Sequence, residues 1–333
     1  MPDVITFGEA MLRLTPPGFR RLEHAHAFDA EVGGAELNTA VGLVRLGRSA
    51  AWVSRLPDNP LGRWLAGKVR EAGIGTAHVE LADDGRLGLY FLEVGAAPRP
   101  SSILYDRRDS SFSRLQPESI DWPAVLAGAK WFHVTGITPA LGPGSAAATL
   151  EALRAARAAG VRVSIDPNYR AKLWSVADAR RWLEAALPLC DVLITGGGLA
   201  GDVPDAEALF GVAVADAATV GRALAQRFGL KVVAVTQRDS GRVWHNAFTA
   251  VAVAGGDVLT TRTYNVEVVD RLGAGDAFAA GLIHGLLDND VQRGLDYGAA
   301  MAALKHSVPG DFPAATLAEV QDLLAGGGVR ISR

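Results

Sequence analysis

Short apolar runs alternate along most of the chain with segments whose apolar residues repeat at helical spacing. The run at 4–8 ends in Gly-Glu, as a buried parallel strand does, and helical segments at 34–46 and 61–72 flank a second run at 51–56. The alternation resumes after residue 122 and predicts strands at 131–136, 161–166, 192–195 and 232–236, with helices at 145–159, 178–187 and 219–228. The pattern predicts an α/β fold with a central, mostly parallel sheet between helices.

Two segments interrupt this alternation. Residues 12–32 carry prolines, a glycine and several charges without helical period, which indicates irregular edge structure. Residues 76–114 alternate apolar and polar positions and are broken by two turn-forming stretches, at 83–85 and 95–100, which predicts antiparallel strands. Together the two segments predict a small sheet that projects from the body of one domain, residues 1–333.

Residues 265–287 run from a strand-like segment through a glycine turn into an apolar helix. The turn is Gly273-Ala274-Gly275-Asp276, and its two glycines permit a sharp bend and close approach of a ligand. The first N–H groups and the positive end of the helix dipole point at the turn, which predicts an anion site. Asp276 is interpreted either as a base that takes a proton from an attacking alcohol or as a helix cap.

A second stretch, residues 33–40, also opens a helix with paired glycines, and it carries an asparagine one turn in. Its pattern G-G-x-x-x-N-x-A, together with D-x-x-G-A-G-D at 270–276, resembles the two signatures of the ribokinase (PfkB) family of sugar kinases. The order of the signatures and their wide separation also match. The resemblance covers nearly the whole chain and implies a ribokinase-like fold in which the small sheet is a lid over the sugar.

The resemblance implies specific roles around the turn. Asp276 is the expected base, the N–H groups of Gly273, Ala274 and Gly275 form the expected anion hole, and Asp270 helps to position the acceptor. The expected substrate-binding residues also include Gly33, Gly34 and Asn38. The expected nucleotide-binding residues are Asn168, Thr236, Arg238, Ser240, Gly241, Gly273 and Gly275. For the segment 236–241 a plain hairpin turn is the alternative.

The acceptor site is expected to contain arginines from two separate regions. Tyr90, Tyr105 and Arg107 lie in predicted lid strands, and Arg170 follows a strand of the body. A guanidinium can hold a carboxylate with two hydrogen bonds, whereas a neutral hexose needs hydroxyl partners. With Gly34, these residues resemble the pattern of the family's 2-keto-3-deoxygluconate kinases. Arg108 is interpreted as a solvated neighbour.

The resemblance implies ATP and Mg²⁺, and it leaves a requirement for a monovalent cation open. Members of the family usually carry N-x-x-E after the strand that ends near Thr195, and this chain departs from that pattern. Asp202 and Asp205 have the same spacing and are the expected metal ligands, acting through water. Glu207 is the rival ligand, and a solvated acidic loop without a metal role is the third interpretation.

Composition narrows the possible partners. Of the 333 residues 49% are hydrophobic and 21% are charged, which is typical of a globular chain. The net charge is −3 and the basic residues are scattered, so neither a nucleic-acid face nor a membrane patch is indicated. The single cysteine, Cys190, lies in an apolar run and is expected to be a buried thiol. The N-terminal residues do not resemble a signal peptide, and we expect a cytoplasmic protein.

The sequence therefore predicts ATP-dependent phosphorylation of a primary hydroxyl of 2-keto-3-deoxy-D-gluconate, by an enzyme that forms homo-oligomers through the lid. One alternative is a fructokinase or another neutral-sugar kinase of the same fold. Another is a sugar- or nucleotide-binding regulator without catalysis. The altered N-x-x-E region favours the regulator, and a carboxylate beside an anion hole argues against it.

Overall fold

A computed structural model of the chain describes residues 1–198, 206–213, 215–239 and 244–327. The strands in these ranges are β1 Val4–Phe7, β2 Met11–Thr15, β3 Asp29–Gly33, β4 Ala50–Pro57, β5 Val79–Ala82, β6 Leu89–Glu93, β7 Ser102–Asp106, β8 Trp131–Thr135, β9 Arg162–Asp166, β10 Val192–Gly198, β11 Val232–Asp239, β12 His245–Ala254, β13 Asp257–Thr260 and β14 Tyr264–Glu267. The helices are α1 Ala35–Arg45, α2 Pro60–Glu71, α3 Trp122–Leu126, α4 Pro143–Ala158, α5 Val176–Ala186, α6 Ala206–Phe210, α7 Ala217–Phe228, α8 Ala274–Leu287, α9 Val291–His306 and α10 Leu317–Leu324. None of the helices in the described ranges is long and apolar enough to cross a membrane.

Most of the strands form one large sheet with the order β13-β12-β11-β10-β9-β8-β1-β4-β5, and β14 pairs with β12 beside this path. Every pair from β11 to β5 is parallel, whereas β12 runs antiparallel to β11, β13 and β14. The predicted mostly parallel sheet is confirmed. The carboxyl ends of its parallel strands share one edge, which is where ligands bind in open α/β sheets.

The large sheet separates two hydrophobic cores. Along β1, Val4 packs into the core that contains α1, α2, α8, α9 and α10, whereas Ile5 packs into the core of α3, α4, α5, α6 and α7. Trp131 and Phe132 divide in the same way on β8. A strand turns successive side chains to opposite faces, so continuous apolar runs are what a sheet covered on both faces requires.

The remaining four strands form a small sheet with the order β3-β2-β6-β7. It contains strands from both interrupting segments, as predicted, but the predicted bounds and pairing need correction. The start of the 76–114 segment is β5, which pairs in parallel with β4 at the edge of the large sheet. Within the small sheet β2 and β6 are parallel, while the other two pairs are antiparallel. The 12–32 segment contributes two regular strands, β2 and β3, with an irregular connection between them.

Helices α1, α4 and α8 begin at glycines that provide no side-chain cap, and two of them start at the sequence patterns described above. Gly34 precedes α1 and Gly273 precedes α8. By contrast, Asn59 caps α2 by accepting hydrogen bonds from two backbone N–H groups, and Thr316 forms a capping box with Glu319 at α10. The N–H groups at the starts of α1 and α8 are therefore left without a side-chain acceptor from the cap position.

Helix α8 is buried on nearly all sides, and its close contact with α9 depends on glycines. A Cβ on Gly281 would lie 2.4 Å from the backbone nitrogen of Gly298. One turn further on, a Cβ on Gly285 would lie 2.3 Å from the Cα of Gly294. The two backbones touch, so α9 fixes the position of α8 and of the turn that precedes it.

We predict that Gly281→Ala lowers the free energy of unfolding by about 1–3 kcal/mol, because the new methyl group collides with the backbone of α9. Gly67→Ala is the matched control, since Gly67 lies inside α2 and a Cβ there meets nothing within 4 Å. The control should gain about 0.5–1 kcal/mol from helix propensity. Urea unfolding of both variants measures the difference, and equal stability changes would contradict the close packing.

Candidate active site

The starts of α1 and α8 meet at the carboxyl edge of the large sheet. There the Asn38 side-chain amide donates to Asp276 Oδ2 at 2.7 Å. The Thr39 hydroxyl donates to the backbone oxygen of Asp276 at 3.4 Å. The structure thus brings together the two sequence patterns that carried the family resemblance.

The turn before α8 has the geometry that an anion site needs. Gly273 has a φ of +80°, and a Cβ there would lie 2.1 Å from the backbone oxygen of Asp311. A Cβ on Gly275 would meet nothing within 4 Å, so the space above the turn is open. The first backbone hydrogen bond of the helix runs from Ala277 N–H to the Gly273 oxygen at 2.8 Å. The N–H groups of Ala274 and Gly275, two of the three predicted donors, precede that bond and remain available to an anion.

Asp276 holds its proton far more tightly than an ordinary aspartate. It keeps some exposed surface, yet burial of the carboxyl raises its pKa to about 7, and the negative charges of Asp166, Asp311 and Glu36 act in the same direction. The hydrogen bond from Asn38 opposes this rise in pKa because it stabilises the charged form. A carboxylate that titrates near neutral pH suits proton transfer.

Glu36 anchors the start of α1 to the end of β8. Its Oε1 accepts hydrogen bonds from the Thr135 backbone N–H at 2.9 Å, the Thr135 hydroxyl at 2.7 Å and the Thr138 hydroxyl at 2.8 Å. Glu36 is 1% exposed, and burial raises its pKa. This network fixes the start of α1, and Asn38, two residues further along the helix, contacts Asp276.

A buried arginine that the sequence analysis did not identify joins the small sheet to the turn. Arg13 on β2 is 3% exposed, and its Nη2 lies 2.6 Å from Asp270 Oδ2. Its Nη1 lies 2.7 Å from Asp311 Oδ1. Its Nε lies 3.6 Å from Glu31. Burial lowers the pKa of Arg13, but the charges of Asp311 and Asp270 outweigh burial and raise the pKa above its ordinary value. An arginine inside the apolar stretch Met-Leu-Arg-Leu was the available signal.

Several residues predicted to bind the acceptor substrate form hydrogen bonds or ring contacts within the protein. The Tyr90 hydroxyl donates to Asp311 Oδ2 at 2.6 Å, and the Tyr90 and Tyr105 rings lie 5.8 Å apart. A Cβ on Gly33 would lie 2.3 Å from that hydroxyl, so a residue with a side chain would collide with Tyr90 at this position. Asp270 accepts from the N–H groups of Leu272 at 3.0 Å and Gly310 at 3.1 Å as well as from Arg13. In this structure these side chains hold the turn and the small sheet together.

The two predicted arginines have different surroundings, and Arg107 pairs with a carboxylate. Arg107 directs its Nε and Nη2 to Oε2 of Glu9, with an Nε to Oε2 distance of 2.9 Å. Glu9 follows β1 and is 5% exposed, and its Oε1 has no hydrogen-bond partner among the described residues. Gly34 approaches the same segment, since a Cβ there would lie 2.4 Å from the Glu9 backbone oxygen. Arg107 Nη1 has no partner among the contacts of the described residues.

Arg170 lies beyond the end of β9, next to Asp166. Asp166 Oδ1 accepts from the Asn168 backbone N–H at 2.8 Å, and Asn168 has a φ of +40°. Burial raises the pKa of Asp166 to about 6, while the positive charges of Arg170 and Arg238 oppose the rise. Arg170 is exposed, and its Nη1 donates to the Tyr169 backbone oxygen. Asp166 was not predicted, although it ends a strand beside two residues that were.

The segment predicted to be a nucleotide loop begins as a strand, and its role in nucleotide binding stays a prediction. Residues 236–239 are the last part of β11, which pairs antiparallel with β12, so Thr236 and Arg238 lie in a strand of a β-hairpin. The Thr236 hydroxyl donates to the Thr195 oxygen at 3.3 Å. Ser240 and Gly241 lie outside the described residues, as do the expected metal ligands Asp202 and Asp205. Glu207 is exposed in the first turn of α6.

These features together suit transfer of a phosphoryl group to an alcohol. The turn can hold a phosphate through backbone N–H groups, and the adjacent carboxylate can accept the proton of the attacking hydroxyl. The profile of the pfkB family of carbohydrate kinases matches residues 1–315. The chain therefore belongs to the pfkB family of carbohydrate kinases.

Three relatives show how closely the chain follows known members. The chain is 39% identical over 332 residues to a 2-dehydro-3-deoxygalactonokinase of Haloferax volcanii, covering 99% of each chain. The structure superimposes on the 2-dehydro-3-deoxygluconokinase of Thermotoga maritima with a TM-score of 0.92 and 38% identity, covering 97% of this chain and 98% of the other. A fructokinase of Xylella fastidiosa with bound ATP gives a TM-score of 0.79 and 25% identity, covering 98% and 99%. The ribokinase-like fold is confirmed.

The raised pKa of Asp276 predicts how phosphoryl transfer depends on pH. A base works in its charged form, so kcat/KM should fall as the pH drops below about 7. Replacing Asn38 with Leu removes the hydrogen bond that stabilises the carboxylate, which should move the midpoint upward by about one pH unit.

Profiles of kcat/KM from acidic to alkaline pH measure both effects. Thr39→Val is the matched control, because its hydroxyl contacts the Asp276 backbone and not the carboxyl. Its midpoint should stay where the wild-type midpoint lies. A downward shift in Asn38→Leu, or a wild-type rate that stays constant down to the pKa of an ordinary aspartate, would contradict the assigned role.

Proposed function

We propose that the protein transfers the γ-phosphoryl group of ATP to a primary hydroxyl of 2-keto-3-deoxy-D-gluconate. The observation that carries the proposal is the Asp276 carboxyl, which has a pKa of about 7 and lies at an uncapped helix start. Two relatives are named as kinases of 2-dehydro-3-deoxy sugar acids, which favours this substrate class. The galactonate form, which differs in the configuration of one carbon, is the second candidate because the Haloferax relative is named for it.

In the proposed reaction Asp276 accepts the proton of the acceptor hydroxyl as its oxygen attacks the γ-phosphorus. The bond between that phosphorus and the bridging oxygen of ADP breaks, and ADP leaves. The N–H groups of Gly273, Ala274 and Gly275 stabilise the negative charge of the transferred group. Asn38 orients the carboxylate through its 2.7 Å hydrogen bond.

Mg²⁺ would be held by the phosphates of ATP, water and one or two protein carboxylates, as is usual for this ion. The described residues contain no group of three or more His, Cys, Asp or Glu side chains suited to a metal. Asp166 could serve as the single protein carboxylate, since it is partly exposed at the carboxyl end of β9. The ion would neutralise charge on the phosphates.

The sugar acid would place its carboxylate at Arg107. Glu9 holds Nε and Nη2 of that guanidinium and leaves Nη1 for the substrate. The unpartnered Glu9 Oε1 is a buried acceptor that a sugar hydroxyl could satisfy. Arg170 is proposed as a second contact from the body of the protein. Binding of a charged acceptor would thus depend on the ion pair between Glu9 and Arg107, which holds the guanidinium in position.

We also infer that two copies pair through the small sheet, which would serve as the lid. Its edge strand β7 exposes Leu104 at 58% and Tyr105 at 39%. Pairing would cover this apolar surface and the free strand edge. Sedimentation velocity should show a dimer that Leu104→Lys converts to monomer, and a wild-type monomer at every concentration would contradict the inference.

A coupled assay of ADP release with purified acceptors tests the proposed reaction. Asp276→Asn should lower kcat by a factor of about 10² to 10⁴ while ATP still binds. The wild type should prefer 2-keto-3-deoxy-D-gluconate to its galactonate epimer and to fructose. A preference for fructose would contradict the sugar-acid assignment, and near wild-type turnover in Asp276→Asn would contradict the base.

Two arginine variants separate charge recognition from general damage. Arg107→Ala should cost about 2–5 kcal/mol of acceptor binding, since the buried carboxylate of the substrate loses its charged partner. Arg108→Ala is the matched control, because Arg108 is exposed and adjacent in sequence. Arg108→Ala should leave kcat/KM for the sugar acid nearly unchanged. Equal losses in the two variants would argue against a specific carboxylate contact.

A further inference from the structure

The turn at residues 273–276 is called the anion turn below. A buried lysine lies behind it, and the reaction described above does not use this lysine. Lys305 is near the end of α9 and is 1% exposed. Its Nζ donates to the Val308 backbone oxygen at 3.0 Å, which is the one hydrogen bond that Nζ forms within the described residues. Burial lowers the pKa of Lys305, and the negative charges of Asp270 and Asp311 oppose this fall because they attract the ammonium. A lysine is seldom buried so completely, because the desolvation of an ammonium is costly unless a charge partner compensates for it.

The segment that Lys305 holds is in direct contact with the turn. The Gly310 N–H donates to Asp270 Oδ2 at 3.1 Å, and the Asp311 backbone oxygen packs against Gly273. At the other end of the same segment, the backbone oxygen of His306 accepts from the Asp270 N–H at 3.2 Å. Segments 268–273 and 306–311 therefore lie side by side, and a displacement of one moves the other.

The carboxylates behind the turn outnumber the guanidinium, because Glu31 lies 3.6 Å from Arg13 in addition to Asp270 and Asp311. Asp270 and Asp311 are both buried, and the guanidinium of Arg13 compensates for one of their two negative charges. The ammonium of Lys305 supplies the second positive charge. Without it, an uncompensated negative charge would lie behind backbone N–H groups that must bind a phosphate, and this charge would oppose the phosphate.

We propose that Lys305 acts as a built-in monovalent cation for the anion turn, so that catalysis requires no added K⁺. A free ion beside the turn would be coordinated by carbonyl oxygens of segments 268–273 and 306–311. One of these, Val308 O, is already bound by the ammonium, whose charge would repel such an ion. The inference rests on the proposed function, since the anion is a phosphate of ATP. Lys305 is a positioning residue, because it acts through the backbone and through its charge.

The test compares rates in KCl, NH₄Cl and choline chloride at equal ionic strength. The wild type should vary by less than about twofold among the three salts, because its cation is covalently attached. Lys305→Met retains much of the stem but removes the charge, and its kcat/KM for ATP should fall about tenfold or more in choline chloride. K⁺ or NH₄⁺ should restore a large part of that loss, since either ion can occupy the vacated position.

Lys231→Met is the control, because the Lys231 side chain is 71% exposed at the start of β11 and pairs with Asp191. It should behave as the wild type does in every salt. Activation of the wild type by K⁺ of tenfold or more would overturn the proposal, even if Lys305→Met fails to fold. A folded Lys305→Met that is fully active in choline, or one that neither ion rescues, would also overturn it.

Thermal unfolding separates this inference from the proposed function. K⁺ should raise the Tm of Lys305→Met relative to choline and leave the Tm of the wild type unchanged, whatever the acceptor is. Absence of phosphorylation of every acceptor by the wild type would contradict the proposed function alone. An unchanged Tm of the variant in K⁺ would contradict the cation role alone.

Discussion

The active site depends on one buried guanidinium. Arg13 belongs to the small sheet, yet its two terminal nitrogens contact Asp270 and Asp311, which flank the anion turn on either side. Removing one partner of a buried ion pair leaves an uncompensated charge and costs about 3–5 kcal/mol. Strand β2 and the turn therefore cannot separate without leaving a charge unpaired. This interaction couples the position of the small sheet to the shape of the phosphate site.

The second constraint is the sign of the charges around the turn. Backbone N–H groups favour an anion there, whereas the charges of Asp166 and Asp311 disfavour the charged form of Asp276. Burial and this repulsion raise the pKa of Asp276, and the amide of Asn38 limits the rise. The carboxyl can then take up a proton near neutral pH, which an ordinary solvent-exposed aspartate would hold too weakly. The same repulsion explains why cationic side chains lie behind the turn.

Local sequence predicted much of the fold and the centre of the site. The alternation of apolar runs gave the large sheet and most helices, and the two glycine patterns correctly identified the helix starts that join Asn38 to Asp276. Strand β5 was assigned to the wrong sheet because period-two alternation does not reveal which strand is the partner. Arg13 and Asp311 were missed because they are 298 residues apart, and no local pattern links such a pair. Glu9 was missed for the same reason, since its partner Arg107 lies 98 residues away.

Asp276 is the proposed proton acceptor, and its surroundings set its pKa. The most direct test is a ¹³C NMR titration of its carboxyl carbon, assigned by the signal that disappears in Asp276→Asn. The structure predicts a midpoint near pH 7 in the wild type. A midpoint near 4, the value of an ordinary aspartate, would contradict the account.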